Sequence, residues 1–89
     1  MPEPITMYGA THCEDTLRVR LHLNSLKIPF REVNIDYDPV AEAFVRFINR
    51  GSRSTPTLVI GEGKVKTVIT EPTTPEVDEM VRRAGYVVS

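Results

Sequence analysis

A single cysteine, Cys13, in a chain of 89 residues rules out an internal disulfide. A chain this short buries only about 60–65% of the surface its unfolded form exposes, so the fold has to stand on its apolar core alone. A cysteine-based zinc site is also out of reach, because the only other soft ligands are His12 and His22. The expectation is one domain over residues 1–89 with a loose N-terminus at 1–4. Its lone thiol either forms a mixed disulfide with another molecule or sits inert.

Forty per cent hydrophobic and 26% charged residues are enough for one such core. A net charge of −1 gives no electrostatic reason for a nucleic acid or an anionic membrane as partner. No apolar run reaches the ~18 residues that span a bilayer, and Met1–Ile5 lacks the basic start and long apolar stretch of a signal peptide. These features lead us to expect a cytoplasmic monomer with no nucleic acid partner, no membrane partner and no bound metal.

Periodicity then orders the elements. Ile5–Tyr8 reads as a short strand, broken by Gly9 to His12. From Glu14 to Leu26 the residues favour a helix, with Leu17, Leu21 and Leu26 on one face and Val19 and Leu23 widening it. Glu14 and Asp15 suit its positive end, which puts Cys13 at the mouth of that helix. Val33 and Ile35 share a strand face. Asp38 reads as an N-cap with Pro39 at the first helical position, followed by Val40, Phe44, Phe47 and Ile48 as a buried helix face. Thr57–Ile60 and Val65–Ile69 read as a hairpin around Gly61–Lys64. A last helix starts either with Thr74 as cap or with a Thr73–Glu76 capping box. It buries Val77, Met80, Val81 and Ala84 and stops at Gly85.

The order is β-α-β-α-β-β-α. A βαβ unit implies two parallel strands joined by a right-handed crossover, and the terminal hairpin adds antiparallel strands. The predicted class is α/β, a four-stranded mixed sheet with helices on both faces, which is the thioredoxin-like layout.

Two segments make this more specific. Ile5–Cys13 is a strand, a short loop and a cysteine at a helix start, and Arg53-Ser54-Thr55-Pro56-Thr57-Leu58 leads into the third strand. Together they resemble glutaredoxins, and Asn49–Met80 looks like the mycoredoxin-type members, which serve small thiols other than glutathione. The resemblance implies that Cys13 is the catalytic thiol, with Pro56 in a loop facing it. Several positions depart from the family pattern. The second active-site cysteine is Thr16, the residues between are Glu14 and Asp15, Ala10 stands where many members carry a lysine, and Glu71–Thr74 replaces a Gly-Gly pair.

Each site residue has a functional and a plain reading. A helix N-terminus lowers the pKa of a thiol at Cys13, unless the cysteine is a remnant of a degenerate site. A charge ~6 Å away, such as Glu14 or Asp15, costs a thiolate ~0.7 kcal/mol in water and about 2.8 at an effective dielectric of 20. The helix dipole returns about 0.3–1 kcal/mol, so the acidic pair should mute activation. His12 could offset this if protonated, or be an idle loop residue. Thr16 could give its hydroxyl to the sulfur or be an ordinary helix threonine. Pro56, cis or trans, sets the loop, and the backbone of Thr55 could pair with a peptide-like substrate. Arg53 could hold a substrate carboxylate or be a solvated surface residue.

The leading expectation is a monothiol redox protein. It would exchange with a small thiol or a protein mixed disulfide through Cys13, with no bound cofactor and a low-molecular-weight thiol as co-substrate. The alternative is a redox-inactive module that binds a protein in the same groove. An iron–sulfur carrier fits less well, because the bulky charged pair after Cys13 replaces the Gly-Phe usual in those relatives.

Overall fold

Because residues alternate across a strand, β1 (Ile5–Gly9) buries Ile5 and Met7 on one side of the sheet and offers Tyr8 to the other. The computed structural model describes residues 2–88. After β1 come α1 (Glu14–Ser25), β2 (Arg31–Asn34), a single 3-10 turn (Ile35–Tyr37), α2 (Pro39–Ile48), β3 (Thr57–Ile60), β4 (Thr67–Thr70) and α3 (Thr74–Arg83). The strand order is β2-β1-β3-β4, with β1 parallel to β2 and the other pairs antiparallel. The expected element order and mixed sheet are those observed.

One core layer packs Val19 and Leu23 of α1 with Val77, Met80 and Val81 of α3 against Ile5, Met7, Leu58 and Ile60. The opposite layer is smaller, with Ile35, Ala41 and Val45 packed with Tyr8 and Val33. The Tyr8 and Phe44 rings meet there with centroids 5.1 Å apart. Asp38 caps α2 through its carboxylate on Ala41 N, and Thr73 caps α3 in a full capping box with Glu76. The box, with Thr74 already helical, decides between the two starts offered for α3.

Three packing expectations are corrected. In α1 the buried stripe is Thr16, Val19 and Leu23, while Leu17 and Leu21 are exposed. The helix carries two apolar stripes, and the one used begins with a side chain small enough to lie against Gly9. In α2 the buried residues are Ala41 and Val45, with Val40 and Phe47 more than 80% exposed. Small residues let that helix approach Tyr8 and Ile35 closely, which turns it away from the larger ones. Finally β4 begins at Thr67, because Gly61 and Gly63 take positive φ and carry the turn through Lys66, leaving Val65 exposed.

Of the stretch read as a loose N-terminus, Glu3 and Pro4 are hydrogen-bonded. Glu3 N–H donates to Ala84 O at 2.8 Å, and Pro4 O accepts from Gly61 N at 2.9 Å. Met1 and Ser89 lie outside the described residues. Among the described residues no helix is long and apolar enough to cross a membrane.

Candidate functional site

The parallel pairing of β1 and β2 places Gly9 opposite Asn34, so the loops leaving both strands rise at the same end of the sheet. Cys13 ends the first of these loops as the N-cap of α1. Its Sγ accepts from Thr16 N at 3.4 Å and from Thr55 Oγ1 at 3.3 Å. In the thiol form it also donates to Thr55 O at 3.5 Å. Thr55 comes from the loop before β3, and its peptide bond to Pro56 is cis. Cys13, Thr16 and Thr55, named from the sequence, therefore meet at the sulfur, and Pro56 follows Thr55 across the cis bond.

Burial pushes the Cys13 thiol up. The hydroxyls of Thr16 and Thr55 and the backbone N–H groups of Thr16 and Asp15 outweigh it, leaving the thiol below the ordinary cysteine range. Thr55 Oγ1 donates to the sulfur at 3.3 Å, while Thr16 Oγ1 accepts from Ala10 N at 3.4 Å and keeps its own proton for the sulfur one helical turn back. Thr16 and Thr55 are thus the two side chains that favour the thiolate, Thr55 by a hydrogen bond reaching in from the opposite loop. The acidic neighbours do not reverse the direction, and Asp15 is itself paired with Arg18 at 3.4 Å.

Removing that donor gives a direct check. In Thr55→Val the shape is kept and the hydroxyl lost, and the Cys13 pKa should rise by about 0.7 unit, one hydrogen bond's worth. A thiolate-absorbance titration unchanged from the natural chain would show that Thr55 is only a neighbour.

Arg53 lies at the surface with partners within the chain. Its Nη2 donates to Asp36 Oδ1 at 2.6 Å and its Nε to Glu42 Oε2, so a substrate carboxylate would share the guanidinium with two of the chain's own. Arg18 is also engaged, with Nη2 on Pro72 O at 2.8 Å and Nη1 on Thr74 Oγ1 at 3.2 Å. That contact ties α1 to the segment before α3. A cleft of about 350 Å³ lined by Thr11, His12, Cys13, Glu14, Leu17 and Arg20 opens beside the sulfur, within the range that small ligands use. A more apolar groove between α3 and β4 holds neither Cys13 nor its partners. Among the described residues no three His, Cys, Asp or Glu side chains come together as a metal site.

Comparison with known proteins bears on this arrangement. The glutaredoxin family model matches residues 5–65. A Mycobacterium tuberculosis H37Rv protein named as a glutaredoxin is 32% identical over 82 residues, covering 91% of this chain and 94% of its own. The chain belongs to the glutaredoxin family. Solved structures extend the likeness in fold. Oxidised mitochondrial thioredoxin 3 from Saccharomyces cerevisiae has a TM-score of 0.63 at 17% identity, over 92% of this glutaredoxin and 78% of that chain. Glutathione transferase Omega 1C from Trametes versicolor has a TM-score of 0.65 at 22% identity, over 99% of this glutaredoxin and 41% of that chain. The fold is thioredoxin-like, and family and fold together are those of redox-type proteins. The mycobacterial relative accords with the mycoredoxin-type look of Asn49–Met80.

Sequence reasoning missed several residues that build this glutaredoxin's site. Gly9 is needed because a Cβ there would lie 2.4 Å from Thr16 Cγ2. Asn49 fixes the far end of the Thr55 loop, donating to Thr57 Oγ1 at 3.1 Å and accepting from Thr70 Oγ1 at 2.8 Å. Asp36 reaches the cysteine loop itself, accepting from Thr11 N at 2.8 Å. The βαβ pattern held one usable signal for Asp36. Residues just after two neighbouring parallel strands share one end of the sheet.

Proposed function

We propose that this glutaredoxin is a monothiol thiol–disulfide exchange protein working through Cys13. The donor set on the sulfur carries this reading. A backbone N–H and a hydroxyl point at Sγ in a partly exposed position beside a small cleft. Donors aimed at sulfur favour the thiolate, and the thiolate is the nucleophile.

The exchange needs one cysteine. The Cys13 thiolate attacks one sulfur of a mixed disulfide R–S–S–R′. The Cys13–S–S–R bond forms as the S–S bond breaks, and R′S⁻ leaves with the electron pair and takes a proton from water. A second small thiolate then attacks the R sulfur, forming the small-molecule disulfide and returning the Cys13 thiolate. Deprotonation also frees Thr55 O from the thiol proton. Together with Thr55 N–H, which has no partner among the described residues, it gives an extended backbone two contacts. The substrate is a small thiol or a protein mixed disulfide. The donor set favours this over a redox-inactive binding module, which has no use for a stabilised thiolate.

Incubation with an oxidised small thiol followed by mass spectrometry tests the reading. A single adduct on Cys13 is expected, absent in Cys13→Ser. Its rate should climb as pH rises through the Cys13 pKa, because the thiolate fraction climbs with it, and level off before the ordinary cysteine range is reached. A Cys13 that forms no adduct at any pH sinks the proposal.

A further inference from the structure

Two loops meet at the Cys13 sulfur, and one carboxylate links them. Asp36 Oδ2 accepts from Thr11 N at 2.8 Å, and Asp36 Oδ1 accepts from Arg53 Nη2 at 2.6 Å. Thr11 stands two residues before Cys13, and Arg53 stands two residues before Thr55, whose hydroxyl and carbonyl both touch Sγ. The link is braced on each side. Asn34 Oδ1 accepts from Asp36 N at 2.9 Å, and Asn34 Nδ2 donates to Thr11 Oγ1 at 3.0 Å. On the far side Glu42 takes Arg53 Nε and also pairs with Arg46 at 3.5 Å.

We propose that Asp36 and Arg53 are positioning residues, a clamp that holds the cysteine loop and the Thr55–Pro56 loop in register at the sulfur. This role rests on Cys13 being the exchanging thiol, since what the clamp positions is Cys13's donor. Neither residue touches the sulfur. They act through Thr55, whose hydroxyl has useful geometry only while the two loops keep their spacing. Hydrogen bonds weaken steeply with misalignment, so a small opening of the loops is enough to lose the donor. The clamp stays charged over the working pH range. The Thr11 N–H and the Arg53 guanidinium hold the Asp36 carboxyl below its usual range, and Arg53 and Arg46 do the same for Glu42. Exposed ion pairs add little to stability, so the consequence falls on the geometry of the site.

The test titrates the Cys13 thiolate by ultraviolet absorbance in the whole chain, comparing the natural sequence with Asp36→Asn, Arg53→Gln and the double variant. Each single change should raise the Cys13 pKa by about 0.7 unit, as for loss of one hydrogen bond. The double should go no further than the larger single, because both break the same link. Arg53→Lys should recover only part, since an ammonium cannot span two carboxylates as a guanidinium does. The pH profile of adduct formation should move by the same amount, with melting temperatures within about 5 °C of the natural chain. Breaking an ion pair away from the site, with Glu79→Gln opposite Arg83, should leave the titration unmoved. If Asp36→Asn fails to fold, Arg53→Gln and Glu42→Gln carry the test from the other end of the clamp.

Folded variants that titrate like the natural chain overturn the clamp, as do single shifts that simply add. In that event adducts still form on Cys13 and the exchange reading stands. Failure of exchange itself has a different signature, a natural chain that forms no adduct at all.

Discussion

Replacing Gly9 with alanine is expected to lower the melting temperature by roughly 8–24 °C, from about 2–3 kcal/mol of overpacking in a domain of this size. Gly9 is the last residue of β1 and is buried, with the first turn of α1 directly over it. An added Cβ would lie 2.4 Å from Thr16 Cγ2 and 3.2 Å from Thr16 Oγ1, and Thr16 is fully buried with 0% exposure. The threonine cannot swing away, so the strand and the helix must separate. That movement also displaces Thr16 N, which donates to the Cys13 sulfur, so the thiol should lose activation together with stability. Thr16→Ser removes the closest atom, and Gly9→Ala with Thr16→Ser should recover at least half of the lost stability. Serine at 16 alone should cost about 1 kcal/mol for the missing methyl. Thermal unfolding of the three variants decides it. A Gly9→Ala protein that melts within about 3 °C of the natural chain would mean the contact relaxes without cost.

Thr16→Cys is expected to give the chain a reaction that its natural sequence does not support, reduction of a protein disulfide without a small thiol. With one cysteine, attack on a protein disulfide ends as a mixed disulfide awaiting a thiol from solution. A cysteine at 16 sits one helical turn from Cys13, and an intramolecular thiol acts at high effective concentration. Thr16 already places its side chain between Gly9 and the start of the cysteine loop. Cysteine, with one γ atom in place of two, fits the same space. Turnover in a protein-disulfide assay should rise at least about tenfold over the natural chain. It should vanish when Cys13→Ser is added to Thr16→Cys. A folded Thr16→Cys protein no faster than its parent would show that position 16 cannot resolve the intermediate.

What the sequence revealed and what it hid follow a physical division. Features fixed by a few adjacent residues were readable. Cys13 precedes Glu14 and Asp15 and so had to cap a helix, Asp38-Pro39 started α2, and Thr73 with Glu76 boxed α3. The resemblance to glutaredoxins rested on such local stretches too. Which face a helix buries depends on what lies beneath it. Leu17 and Leu21 match Val19 and Leu23 in hydrophobicity, and the choice between the stripes comes from what lies beneath, Gly9 under Thr16 and the α3 and sheet residues around Val19 and Leu23. Arg53 shows the same limit at the site. Its partners, Asp36 and Glu42, lie 17 and 11 residues away in the chain, so nothing local marked the guanidinium as already engaged. Thr55 fell between the two cases. Its place beside the cysteine came with the proline motif, but its hydroxyl on the sulfur is a contact between residues 42 apart.

The groups that favour the Cys13 thiolate are all uncharged, two hydroxyls and two backbone N–H groups, and no lysine stands at position 10. Dissolved ions weaken attraction between separated charges but leave a hydrogen bond at contact distance largely untouched. A thiol readied by a nearby cation loses its advantage as salt accumulates. This one is favoured by short-range contacts, so salt has no attracting cation to screen; it screens only the repulsion from Glu14 and Asp15, and added salt should leave the thiolate as favoured as before or more so.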